Sequence, residues 1–167
     1  MSCVTVLGID PGSRHTGWGI ISEVSGVLSL VECGVINTPS NTKMFSERLC
    51  KIYYELDKII SGHKVDEVAI EQVFVAKNAM SALKLGQARG VAVATCAVHK
   101  ILVYDYEPTI IKKSIVGVGR AEKEQVAFMV RRLLNIRDNK WSLDTTDALA
   151  VAICHLSMRR FQQVIPK

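Results

Sequence analysis

Residues 6–21 read VLGIDPGSRHTGWGII, an apolar run that ends on one aspartate and turns at once through Pro11 and Gly12. Asp, Pro and Gly are the residues a tight turn asks for, and Pro11 biases Asp10 towards an extended backbone. Turn chemistry alone accounts for them. A second reading is that the turn holds Asp10 at a sheet edge to do chemistry. The rest of the chain decides between the two.

Working outward, the first forty residues read as strands. CVTVLGI (3–9), TGWGIISEV (16–24) and VLSLVECGVI (27–36) are rich in β-branched residues and separated by short Gly/Ser turns. Links this short predict an antiparallel meander. From Lys43 the period changes. Phe45, Leu49, Ile52, Tyr53, Leu56, Ile59 and Ile60 recur at helical spacing, with Ser40, Asn41 or Thr42 available as N-cap. A fourth strand, EVAIE (67–71), is followed by a helix rich in small residues from about Asn78 to His99. A fifth strand, ILVYDY (101–106), precedes two helical segments near 121–135 and 144–161. The order β-β-β-α-β-α-β-α-α predicts one α/β domain over 1–161, a five-stranded mixed sheet flanked by helices. Residues 162–167 are expected to form a loosely held tail.

A chain of 167 residues suits a single domain, able to bury roughly 70% of its unfolded surface. Five widely spaced cysteines with no CxxC pair argue for reduced thiols and against zinc. The N-terminus lacks a signal-type core, and the longest apolar segment, VAVATCAV (91–98), is too short to span a bilayer. A soluble, cytoplasmic protein without membrane contact is expected. The net charge of +5 is unevenly spread: residues 1–76 hold six Lys/Arg against nine Asp/Glu, and residues 77–140 hold twelve against five. Such a basic excess suits a phosphate backbone, and it also suits solvated helix faces.

Three places combine a carboxylate with a defined structural position. Asp10 ends the first strand and Glu71 the fourth, while Asp144 and Asp147 open the last helix in SLDTTDALAVAICH. A spacing of three puts both aspartates on one helix face, in the turn where the dipole favours negative charge. Singly, Glu71 reads as a residue leaving a strand and Asp144 as a plain N-cap. Together they read differently, because the ends of strands one and four can lie side by side and the last helix can start at the same edge. Four carboxylates gathered there repel unless cations sit between them. Hard oxygen ligands suit Mg²⁺, with Mn²⁺ able to substitute. Two such ions about 3.5–4 Å apart activate water and stabilise the leaving oxygen in phosphodiester hydrolysis.

In the long helix Ala79, Ala82, Gly86, Gly90, Ala94 and Ala97 form a small-residue stripe that permits close approach, against the sheet or across a dimer. None of His15, His63, His99 and His155 belongs to a ligand cluster, and His155, on an apolar helix, reads as core or surface.

Four blocks, GIDPGSRHTGWGII, AIEQVFVAKNAMSALKLGQARG, IVGVGRAEKEQV and LDTTDALAVAICH, resemble the RuvC-type Holliday junction resolvases, in order over nearly the whole chain. The resemblance implies a ribonuclease H-like fold and a homodimer that cuts four-way DNA junctions symmetrically with Mg²⁺ in recombination and repair. It implies catalytic and metal-binding roles for Asp10, Glu71, Asp144 and Asp147, although many relatives carry DAAD where this chain has DTTD. It places Phe74 in the junction, stacked on an unpaired base, and gives Lys77, Lys112 and Lys123 contacts with DNA. It makes the stripe around Ala82, Gly86 and Gly90 a dimer contact. It further implies cooperation with the RuvA-RuvB branch-migration complex in a bacterial cytoplasm, at the nucleoid when acting. A non-catalytic DNA-binding relative should lack one of the acids, and this chain lacks none. An RNA-processing relative shares fold and metal chemistry, but the EQVFVAKN block and the long helix favour the junction resolvase. The likeness of DPGSRHTG to the phosphate loop of actin-like kinases is set aside, since those enzymes need two such domains.

Overall fold

Side chains alternate across a strand, so the register of each strand decides what it lends to each face of the sheet. The computed structural model describes residues 3–39, 44–72, 78–137 and 141–164. Strands β1 (Cys3–Asp10), β2 (His15–Val24) and β3 (Val27–Asn37) form the expected antiparallel meander. The β2–β3 hairpin turns in two residues, Ser25 and Gly26, both at positive φ, as the twist of such a hairpin requires. Helix α1 (Phe45–Gly62) leads to β4 (Glu67–Glu71), and α2 (Ala79–Val98) leads to β5 (Leu102–Tyr106). These two strands add in parallel, giving the order β3-β2-β1-β4-β5. Helices α3 (Pro108–Val116), α4 (Lys123–Leu133) and α5 (Leu143–Val164) complete the chain.

The sheet separates two apolar layers. Leu7, Ile9, Trp18, Ile20, Val68 and Ile70 face α1 and α2, where Ile52, Leu56, Ala88 and Ala92 meet them. Val4, Val6, Ile21 and Ala69 face the other way, towards α3, α4 and α5. Helix α5 is buried almost all round from Ala148 to Leu156, as a helix must be when it lies between a sheet and further helices. It can lie that close because the strands offer glycine. A Cβ on Gly8 would collide with the carbonyl of Ala148, and one on Gly17 with the carbonyl of Asp144.

Two expectations are corrected. Helix α1 starts at Phe45, the first residue of its apolar period, and its cap position is Met44, which makes no side-chain cap bond. The suggested caps Ser40, Asn41 and Thr42 lie outside the described residues. Helix α3 was not expected. Its β-branched run TIIKKSIV resembles a strand, yet Pro108 is pre-set for a first helical turn and Gly117, at φ 86°, closes the last one.

Candidate active site

Asp10 sits in a turn that is also a mount. The buried Thr16 hydroxyl accepts from the Gly12 N–H at 3.3 Å and donates to the Gly12 carbonyl at 2.7 Å, closing the loop just beyond the aspartate. Alternation along β1 puts Asp10 on the same face as Val4 and Val6, the face covered by α5. The same rule along β4 puts Glu71 with Ala69 on that face, on the strand next to β1. Both acids therefore leave the sheet at one edge.

Helix α5 begins at this edge. Asp10 pairs with Gly17 across β1 and β2, and the missing Cβ of Gly17 leaves the room that the Asp144 backbone fills. Ser142 caps the helix: its hydroxyl accepts from the Thr145 N–H at 3.2 Å and bonds the Thr145 hydroxyl at 3.0 Å, and its carbonyl accepts from the Thr146 hydroxyl at 3.1 Å. Asp144 is thus free of the capping role. Thr145 and Thr146 are buried and brace the turn through these bonds.

A cavity of about 240 Å³ opens at this edge, lined by Asp10, Glu71, Asp147, Lys112 and Lys123 over an apolar floor of Pro108, Ile111, Val126 and Ala150. It falls below the roughly 300–1,000 Å³ of pockets that enclose a small-molecule ligand. It suits one group of a polymer lying across it. Lys112 comes from α3 and Lys123 is the first residue of α4; with Pro108, the first residue of α3, also in the lining, the N-terminal turns of both helices border the cavity beside the two lysines. Sequence reasoning missed α3 as the carrier of Lys112, although its proline and glycine punctuation was readable. In α4 a reciprocal capping box between Glu122 and Gln125 fixes the first turn, leaving Lys123 to reach Asp147 at 3.0 Å.

The electrostatics are those of crowded carboxylates. Burial, with Glu71, Asp147 and Asp144 nearby, pushes the Asp10 carboxyl up to about 8. Burial also raises Glu71, as does Asp147, against the hydrogen bond with Asp10 and the pull of Lys123 and Lys112. Lys123 is raised above its ordinary range, chiefly by its bond to Asp147. Asp144 adds to the field on Asp10 but does not line the cavity. Among the described residues no three acids stand close enough to hold an ion as they are placed; Asp10 is hydrogen-bonded to Glu71, and Lys123 engages Asp147. The donor set nonetheless fits a divalent cation. It is all hard oxygen, and its carboxyls are raised by burial and by one another despite Lys123 and Lys112, a field that a bound cation would relieve.

A sequence profile of the family described as "Crossover junction endodeoxyribonuclease RuvC" matches residues 6–155, a span that contains all four acids. The chain belongs to the RuvC family. Proteins of that name from Oleidesulfovibrio alaskensis and Lawsonia intracellularis are 62% and 58% identical to it, over 96% and 95% of this chain and 95% and 94% of theirs. The structure of T. thermophilus RuvC in complex with Holliday junction substrate superposes with a TM-score of 0.89 at 29% identity, covering 95% of this chain and 96% of that one. The ribonuclease H-like fold expected from the sequence is the fold shared with RuvC structures.

Of the other residues singled out by resemblance to RuvC, Phe74 and Lys77 lie outside the described residues. The small-residue stripe is described, and Gly86 and Gly90 are on the exposed face of α2, where an added Cβ would meet nothing within 4 Å. The buried face of α2 is instead Ala88, Ala92, Thr95 and Cys96, and of these Ala88, Ala92 and Cys96 pack in the apolar layer with the sheet. The stripe is therefore no packing device within the chain. No helix among the described residues is long and apolar enough to cross a membrane.

Proposed function

We propose that this RuvC-family chain is an endonuclease that resolves four-way DNA junctions by paired, symmetric phosphodiester hydrolysis in recombination and repair, working as a homodimer in the bacterial cytoplasm. The observation that carries this reading is the cavity in which three acids from three elements face Lys112 and Lys123. Asp10, Glu71, Asp144 and Asp147 would hold two Mg²⁺ ions, or Mn²⁺ in their place. Bound there, the metal would supply an activated water and charge stabilisation for the leaving oxygen. Lys112 and Lys123 hold the scissile phosphate against the helix ends and steady the charge that develops on it. The part-buried acids stay fixed because Thr16, Ser142 and the capping box lock their turns. A bound cation would favour the ionised form of both Asp10 and Glu71.

Phe74 and Lys77 are assigned to the junction itself, Phe74 by stacking on a base, which is typically worth about 1–3 kcal/mol. The dimer reading is supported by α2, which is apolar on both faces but buried on one. Beside its open stripe runs an apolar groove of about 290 Å³ lined by Leu49, Tyr53, Tyr54, Val91 and Val98. Residues 1–161 act as one domain, with the tail proposed for 162–167 shortened by α5, which continues to Val164; the branch-migration partner is the RuvA-RuvB complex. The test is incubation with a four-way junction and with a linear duplex, each with and without Mg²⁺. Paired symmetric nicks only in the junction with metal are expected. Equal cutting of the duplex, or cutting in the presence of a chelator, would reject the reading.

A further inference from the structure

His155 is 3% exposed and every edge of its ring is used. Its Nε2 lies 2.6 Å from Glu67 Oε2 on β4, and its Nδ1 lies 2.7 Å from the Tyr106 hydroxyl on β5. The face of the ring rests on Tyr104, with centroids 4.6 Å apart. Arg159, one turn further along α5, donates to the other Glu67 oxygen at 3.2 Å. The direction of the bonds follows from the partners. Burial opposes the Glu67 charge, but the bonds from His155 and Arg159 win and bring its carboxyl below the ordinary value. Glu67 therefore accepts and Nε2 carries a proton, while Nδ1 and the Tyr106 hydroxyl share the second bond. Burial, followed by Cys154, Tyr104 and Glu67, pushes that hydroxyl up to about 12.

This cluster lies on the same two elements as Glu71 and Asp147, further from the acid edge. Strand β4 runs towards the acid edge and α5 runs away from it. From Glu67 to Glu71 is four strand residues, about 13 Å. From Asp147 to His155 is eight helical residues, about 12 Å. The Glu67–His155 bond is thus the far rung of a ladder whose near rung is Glu71 opposite Asp147. Between the rungs the contacts are small and apolar, with Gly8 and Ala69 on the strands and Ala148, Val151 and Ala152 on the helix. Such contacts have no direction of their own, and the hydrogen-bonded rung supplies one. Tyr106 reinforces the tie at the near end: it pairs in register with Glu71, and its carbonyl accepts from the Gln72 N–H at 2.9 Å.

We propose that His155 is a positioning residue for the acid cluster, keying α5 to β4 and β5 so that Asp147 stands opposite Glu71. The inference rests on the reading of those acids as metal ligands. A displacement of about 1 Å at a reacting centre can cost on the order of a hundredfold in rate, less than one helical residue of slip. The test uses the full chain and compares His155→Leu, His155→Gln and Tyr106→Phe with the wild type. Mn²⁺ affinity is measured by calorimetry, thermal unfolding by circular dichroism, junction affinity without metal, and kcat on the junction.

The expected result is a folded His155→Leu protein that binds junction within about twofold of wild type. Its Mn²⁺ affinity and kcat should each fall at least about tenfold. His155→Gln, whose amide can still reach Glu67, should recover part of both. Tyr106→Phe removes one hydroxyl and should show the same loss in milder form. Wild-type Mn²⁺ affinity and kcat in a folded His155→Leu protein would overturn the proposal. If that variant does not fold, the same result in Tyr106→Phe overturns it. Should the wild type fail to cut junctions while Mn²⁺ affinity still drops in the variants, the nuclease reading fails and the keying stands.

Discussion

Gly17 and Asp144 are in backbone contact, strand against helix, at the position where Gly17 also pairs with Asp10. A glycine in a strand interior weakens the strand, and here its missing side chain is the space that lets an acid-bearing helix start at the acid-bearing edge. Gly17→Ala would drive a methyl into the Asp144 carbonyl. Neither backbone can yield cheaply, so a loss of about 1–3 kcal/mol is expected, on the scale of overpacked cores. Junction cleavage should fall further than stability explains when the two are measured on the same folded sample. Wild-type cleavage would show that the first turn of α5 is tolerant of displacement.

Binding and cutting should separate at Asp147. Its carboxylate lines the cavity and holds Lys123 at 3.0 Å. Asp147→Asn keeps the size of the side chain and removes its charge, so cleavage should drop at least about a hundredfold, the scale for losing one electrostatic stabiliser. Junction affinity should change little or rise slightly, because affinity comes from phosphate contacts and the change removes a repelling charge. Gel-shift and cleavage assays on one preparation give both numbers. Cutting at the wild-type rate removes Asp147 from the site.

Metal-free protein should be least stable where its acids are most ionised. Asp10 is raised to about 8 by burial and by Glu71, Asp147 and Asp144, from 3.8. A carboxyl whose folded pKa lies above its unfolded value binds its proton more tightly when folded. Its stabilising effect is full below about pH 4 and is lost as pH rises towards 8 and beyond. Asp10→Asn removes this loss. In a chelator the mutant should be the more stable at pH 9, by on the order of a few kcal/mol at about 1.4 per pKa unit, with the gap closing towards pH 4. Added Mg²⁺ should stabilise the wild type and not the mutant. A gap of the opposite sign, or one constant with pH, would show that the acids are not crowded in solution.

Much of this was legible in the sequence where a rule is local. Asp10 before Pro-Gly, Glu71 at the end of EVAIE, and two aspartates three apart before an apolar run each name a place within a few residues. The strand and helix periods then bring those places to one edge. What was not legible depends on partners far along the chain. His155 reads as an ordinary residue on an apolar helix because Glu67 and Tyr106 lie 88 and 49 residues away. Gly8 and Gly17 read as weak points in strands until α5 lies on them. Helix α3 escaped because β-branched residues favour strands locally, whereas packing of Ile111 and Ile115 against α5 decides the outcome.

One acid cluster makes one hydrolytic centre, and a four-way junction needs two cuts in strands related by its approximate two-fold axis. A C₂ dimer supplies two identical centres related by the same operation, through one surface patch facing its own copy. In the proposed dimer, helix α2 would be that patch. Leu83 and Val98 are 57% and 69% exposed, and between them Gly86 and Gly90 present bare backbone to open space. Within one chain nothing opposes a larger residue there, so Gly86→Ala should leave the fold intact and can gain up to about 1 kcal/mol of helix propensity. Gly86→Leu should likewise fold, but its side chain would hold a facing helix away. The expected outcome is a protein with wild-type circular dichroism that sediments as a monomer, or dimerises at least about tenfold more weakly. Its junction nicks should be single and uncoordinated. A Gly86→Leu protein that sediments as a dimer and makes paired symmetric cuts would place the contact elsewhere on the chain.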